Sequence, residues 1–123
     1  MSFDKEMMKD VAELVKSGNI KALSAEPEHP WVIVRCAQAG VFFGRLVDFD
    51  KVNACVRLTE CRRLWHWDGA ASLSELAVSG TKQPESCKFT VRVRDIAVLG
   101  VIEVILCEDE AVTSINGVTE WKA

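Results

Sequence analysis

Residues 60–80 read ECRRLWHWDGAASLSELAVSG, and within them strand grammar gives way to helical grammar in a few positions. Arg62, Leu64 and His66 alternate with Arg63, Trp65 and Trp67, the period of two that sends successive side chains to opposite faces of a β-strand. Asp68-Gly69 interrupts that period with a turn dipeptide. Ala70 and Ala71 are small enough to allow close packing. Ser72 stands three residues before Glu75, which forms a capping box, and Gly80 supplies the stop. The segment predicts a strand running through a turn into a short capped helix.

Strands extend outward on both sides of it. WVIVRC (31–36) and VFFGRLVDF (41–49) are rich in β-branched and aromatic residues, and AQAG between them reads as a hairpin turn. After a turn at DFDK, Val52, Ala54, Val56 and Leu58 alternate with polar or small residues as a half-buried strand. Downstream, KFTVRVR (88–94) predicts a strand with Phe89, Val91 and Val93 inward and Thr90, Arg92 and Arg94 outward. IAVLGVIEVILC (96–107) predicts one more apolar strand. A last short helix over 109–115 is expected to stop at Asn116-Gly117, with Val118 and Trp121 tucking back. The fold class expected is α+β, a small, mainly antiparallel sheet domain with a short capped helix after the fourth strand.

The first thirty residues are written differently. Phe3, Met7, Met8, Val11, Leu14 and Val15 recur at helical spacing before Gly18, which predicts an amphipathic helix over 3–17. A second short helix is expected to start at Asn19, and Pro27 and Pro30 bracket an extended linker. The chain thus divides into a helical arm and linker, 1–30, and a sheet-rich domain, 31–123.

The totals limit what such a chain does. At 123 residues it is long enough for one domain with its own core. No apolar run approaches the roughly 20 residues that span a bilayer, and the charged start MSFDKEMMKD is not a secretory signal. A cytoplasmic, membrane-free protein is expected. Five cysteines without close pairs read as buried free thiols, not a zinc site or a disulfide framework. The net charge of −3 argues against non-specific duplex binding, which needs a basic excess. It is unevenly spread, however: −2 over residues 1–34, +4 over 35–94, and −5 over 95–123. All seven arginines lie between Arg35 and Arg94. That leaves room for a local anion site in the middle of the chain.

Residues 31–121 also resemble a family of small proteins of unknown function encoded by tailed phages and prophages. The likeness is carried by Val32–Arg35, Gly40-Val41, Gly44, Val56–Leu58, Arg62–Trp65, Trp67, Gly69-Ala70 and Ser72–Ala77. It continues at Gly80, Pro84, Cys87–Phe89, Val101–Val104, Cys107, Ser114-Ile115 and Trp121. Its core is the motif R-R-[IL]-W-x-W-x-G-A-x-S-L-S-x-L-A. Cys36 stands where the family commonly has Thr, and Leu106 where a Pro often precedes the cysteine. The resemblance implies a phage origin, hence the cytoplasm of a bacterial host, and a single compact domain; it implies no known reaction.

No Gly-rich phosphate loop, HExxH or nucleophile elbow is present, so no enzyme and no cofactor are expected. His66 and Asp68 are the one acid–base pair close in sequence, and a turn beside a half-exposed histidine explains them as well. The binding candidates are Arg62, Arg63, Trp65 and Trp67, where guanidinium charge lies beside aromatic faces. Ser72 at a helix start and Arg92 and Arg94 on the next strand complete the set. Two readings stay open for them: a pocket for a small anionic or nucleotide ligand, or core and interface anchors whose arginines pair with Glu60, Asp68 or Glu103. Four tryptophans with no tyrosine favour contacts with other chains, so a homo-oligomer is expected. The function expected is binding in the host cytoplasm, as counter-defence against a host immune protein or nucleotide signal. The alternative is a virion or assembly component.

Overall fold

The computed structural model describes residues 29–123. The amphipathic helix expected at 3–17, the helix from Asn19 and the linker up to residue 28 lie outside the described residues.

The hairpin forms as the sequence requires. β1 (Trp31–Cys36) and β2 (Val41–Asp50) pair antiparallel. The turn closes where the Cys36 N–H donates to the Gly40 carbonyl at 2.9 Å, and Gly40 has φ +102°, a conformation that suits only a residue without Cβ. The next turn is held by Asp50, whose carboxylate accepts from the Asn53 N–H at 3.1 Å and from its side-chain amide at 2.9 Å. β3 (Cys55–His66) follows. The segments read as third and fourth strands are one continuous strand of 12 residues, so the capped helix that follows Trp65 comes after β3 in chain order. The reason is a bulge. The β2–β3 ladder steps from Phe43↔Arg62 to Arg45↔Thr59, which inserts one extra residue on β3, and Glu60 absorbs it at φ +51°. The bulge resets which face each later side chain takes.

The apolar run 96–106 divides at Gly100 (φ +71°) into β5 (Ile96–Leu99) and β6 (Val101–Leu106). β5 pairs with the first part of β3, and β6 pairs with β1. The Gly100 carbonyl accepts from Ala37 N at 2.9 Å, and Val101 N donates to the Ala54 carbonyl at 3.0 Å. The pairings β1–β2–β3–β5 and β6–β1 therefore close on themselves through one glycine, and the antiparallel sheet rolls up like a small barrel. Val34, Phe42, Leu46, Val56, Leu58 and Cys61 fill its inside.

A second core lies on the other side of the same strands. Ile33, Phe43, Leu64 and Phe89 meet Leu76 and Ala77 of α1 (Leu73–Ser79) and Ala111 and Ile115 of α2 (Asp109–Asn116). Burial on both sides explains why VIV and VFF are continuous apolar runs instead of alternating ones. Each large side chain buried in this way contributes roughly 1.5–3 kcal/mol. The capping box forms with a shift: Ser72 Oγ accepts from Glu75 N at 3.1 Å, but the Glu75 carboxylate accepts from Ala71 N, one residue before the cap. Gly80 (φ +77°) ends α1 so close to α2 that a Cβ there would fall 2.2 Å from Ser114 Cβ.

The strand expected over 88–94 stops after β4 (Lys88–Phe89), beside β3. Beyond it only Val93 makes a bridge, to Cys61. Val91 and Val93, expected to face inward, are each 42% exposed. The carbonyls of Phe89 and Thr90 are taken by other donors, described below, which stops the ladder. All five cysteines are free and buried.

Candidate binding face at the barrel mouth

β3 outruns its β5 partner, and its last residues overhang one end of the barrel. Past the Glu60 bulge, Arg62 and Leu64 face the helices, while Arg63 and Trp65 face the mouth. Arg62 is completely buried. Its guanidinium donates to three backbone carbonyls: Nη1 to Ile115 at 2.8 Å, Nε to Thr90 at 3.0 Å and Nη2 to Phe89 at 3.1 Å. It thereby ties β3 to β4 and to the end of α2. Burial, with the Arg92 charge adding to it, lowers its pKa to about 10, so it stays protonated at neutral pH with its donors used.

Arg63 is exposed, and its guanidinium carbon lies 4.7 Å from the centre of the Phe42 ring at the top of the barrel interior. Among the described residues no carboxylate pairs with it. Its charge reaches the thiols beneath: burial pushes Cys61 up to about 12 and also raises Cys36, and in both cases Arg63 works against the rise. Burial likewise pushes Cys107 to about 12, so these three thiols are inert at neutral pH.

Trp65, two residues along the same face, is 64% exposed. Its ring stacks on Trp121, with centroids 6.2 Å apart and planes 17° from parallel. Trp121 gets there because its N–H donates to the Phe89 carbonyl at 2.9 Å, next to a parallel bridge between Phe89 and Glu120. Lys88 Nζ sits 5.4 Å from the Trp121 ring centre. Two adjoining concavities share Thr90 as a wall. One, of about 200 Å³, is lined by Phe42, Cys61, Arg63, Thr90, Val91, Val93 and Ile96. The other, of about 360 Å³, is lined by Thr90, Trp121, Lys122 and Ala123.

Of the seven predicted site residues, the fold brings Arg63 and Trp65 together here. Arg62 points away into the helix-side core. Trp67 lies past the end of β3 and packs half-buried against that same core. Ser72 is the α1 cap, its hydroxyl used by Glu75 N. Arg92 pairs with Glu120 at 3.1 Å and donates to the Asn116 carbonyl at 2.8 Å. Arg94 lines a separate hollow with Val47, Arg57, Thr59 and Asp95. His66 Nε2 lies 3.2 Å from Asp68 Oδ2, both half-exposed. The sequence reading missed Lys88, Thr90 and Trp121. Trp121 was expected to tuck in, yet it is 45% exposed. Trp121 lies in the acidic segment 95–123, far in the chain from the arginine-bearing strands, so no local signal pointed to its role.

The face joins a flat aromatic platform, cations and an apolar hollow. Such a surface stacks planar rings and balances negative charge. Among the described residues, no three His, Cys, Asp or Glu side chains are grouped to hold a metal ion. No described helix is long and apolar enough to cross a membrane. Over residues 29–115 the chain matches a family described as a domain of unknown function, DUF6948. No curated protein and no solved structure matches it.

Proposed function

The chain belongs to the DUF6948 family, and from that premise we propose that it is a non-enzymatic binding protein whose working surface is the barrel mouth around Arg63, Trp65, Lys88 and Trp121. One observation carries this reading. Two stacked indoles stay exposed beside two cations, Arg63 and Lys88, for which no carboxylate partner is present among the described residues. Elsewhere in the fold Arg35, Arg57 and Arg92 are each neutralised by an acid. A platform left open and positively charged suits a planar anion, and a nucleotide is the common ligand of that chemistry.

The resemblance to phage and prophage proteins supplies the setting. In the cytoplasm of an infected bacterium, a small binding protein of this kind serves as counter-defence, by sequestering a nucleotide signal or by inhibiting a host immune protein. The reading is tested with a panel of nucleotides, followed by thermal shift and by quenching of tryptophan fluorescence. Quenching that disappears in Trp65→Ala and Arg63→Ala, with folding intact, is the expected result. An unchanged melting point and unchanged emission across the whole panel would remove the nucleotide reading.

A second reading is a virion or assembly component. It is favoured by Val91 and Val93, whose exposed side chains extend the Trp65–Trp121 surface with apolar area, as in the core of a protein interface. Light scattering that shows a homo-oligomer disrupted by Trp65→Ala, together with recovery of the protein from purified particles, would support it.

A further inference from the structure

We infer that the mouth is built for a ligand in which two bases flank one phosphate, with the first base on the Trp65–Trp121 stack, the phosphate at Arg63 and the second base in the hollow beyond it. This rests on the nucleotide reading of the face and adds to it the size and layout of the ligand.

The argument begins with the position of Arg63. Trp65 is two residues along the same strand face, so the two side chains leave the β3 backbone about 7 Å apart. On its other side, Arg63 forms a wall of the hollow lined by Phe42, Val91, Val93 and Ile96. Arg63 therefore borders the hollow, its guanidinium over Phe42, and is the next same-face neighbour of Trp65 on β3, an order along the strand that matches base, phosphate, base. Volume points the same way. The hollow, at about 200 Å³, is smaller than the roughly 300 Å³ at which pockets for whole small ligands begin. It suits one ring system of a ligand whose remainder lies outside, over Trp65.

The wall chemistry adds a consequence for selectivity. Thr90 is the polar side chain between the two surfaces, and its hydroxyl is already engaged. It accepts from Arg63 N at 2.9 Å and donates to the Val91 carbonyl at 3.3 Å. With the other walls apolar, apart from the Cys61 thiol and Arg63 itself, the hollow reads a flat ring more than the pattern on its edge. Purine and pyrimidine pairs are expected to bind with similar affinity, as is usual where stacking dominates.

Two sources present the same chemistry: a free dinucleotide, and one two-nucleotide step in a single strand. The experiment titrates the full chain with AMP, adenylyl-(3′→5′)-adenosine and a ten-residue oligo(dA), using tryptophan quenching and calorimetry. The dinucleotide is expected to bind about tenfold or more tighter than AMP, the gain from stacking a second base. Val93→Asp places a charge in the hollow. The charge should abolish that gain over AMP, and Val93→Phe, which fills the hollow without adding charge, should abolish it too, while Arg63→Ala weakens both ligands. Equal affinities for AMP and the dinucleotide overturn the inference and leave the nucleotide reading standing. No binding by any of the three overturns both. Binding of the decamer without the dinucleotide also overturns it, because more than two nucleotides would then be required. If both bind, an unchanged per-site affinity in the decamer identifies a free dinucleotide as the ligand, and a much tighter one identifies a strand; either result supports the layout.

Discussion

On the helix side of β3, Arg62 is completely buried and gives its donors to the carbonyls of Phe89, Thr90 and Ile115. On the mouth side, the next residue lies over the Phe42 ring with no acid beside it among the described residues. The two are the same residue type at adjacent positions, and composition treats them alike. What separates them is the face of the strand, and what sets the face is the extra residue at Glu60. One side of β3 is closed by packing and hydrogen bonds, and the other is left open for contact. A functional reading of an arginine pair therefore has to establish which guanidinium has spare donors.

The contrast is most easily broken at Arg62. Arg62→Ala removes a charged donor from three carbonyls, of which Phe89 keeps Trp121 N–H and Ile115 keeps Val118 N–H, and opens a cavity, which is expected to cost about 3–5 kcal/mol. A urea midpoint within error of wild type would mean that the closed side is not held by this residue. Next is Gly80→Ala, where a Cβ would collide with Ser114 at a positive φ. A loss of about 2–3 kcal/mol is expected, because α1 and α2 must move apart. Trp65→Ala, on the open side, should cost about 1 kcal/mol or less, since the ring is mostly in water and loses one stacking contact. It should also shift the tryptophan emission of the remaining stack partner. Arg63→Ala should move stability by no more than about 0.5 kcal/mol while removing nucleotide binding, and a large destabilisation would make Arg63 a second strut.

The smallest effect is a pH dependence. Arg57 donates two hydrogen bonds to Asp95, at 2.9 and 2.8 Å, and chiefly through them holds its carboxyl below the ordinary aspartate range. A folded pKa lower than the unfolded one makes this contribution complete above the ordinary range. It is lost as pH falls through the lowered value. Both groups are exposed, so Asp95→Asn should flatten only the acid limb of the stability curve, detectable by comparing melting points at neutral pH with those at pH 3.

Much of the architecture was legible because periodicity and turn residues act locally. Gly40 closes the first hairpin, Ser72 caps α1, and Asn116-Gly117 ends α2, each for reasons contained within a few residues. The fused β3 was not legible, because a bulge at a glutamate carries no sequence signature of its own. The shortened β4 was not either: its carbonyls are claimed by Arg62, 27 and 28 residues away in the chain, and by Trp121. For the site, Arg63 and Trp65 could be picked out together because i and i+2 on a strand share a face. Lys88 and Trp121 join them only through long-range pairing. Arg62 and Trp67 belong to the same motif but serve the core, since burying an arginine requires partners that no local window reveals.

Gly100 also bears on how fast the chain folds. It lets one run of residues pair with β3 on one side and with β1 on the other, so the barrel closes only when Leu99 has met Cys55 and Leu106 has met Val32. Those contacts join distant parts of the chain, and the entropy of bringing them together is lost before any reward is gained. The β1–β2 hairpin has no such delay. Acquisition of structure should therefore be staged, with the early hairpin waiting on a slow closure in the range of milliseconds to seconds that is typical of barrels with many non-local pairings.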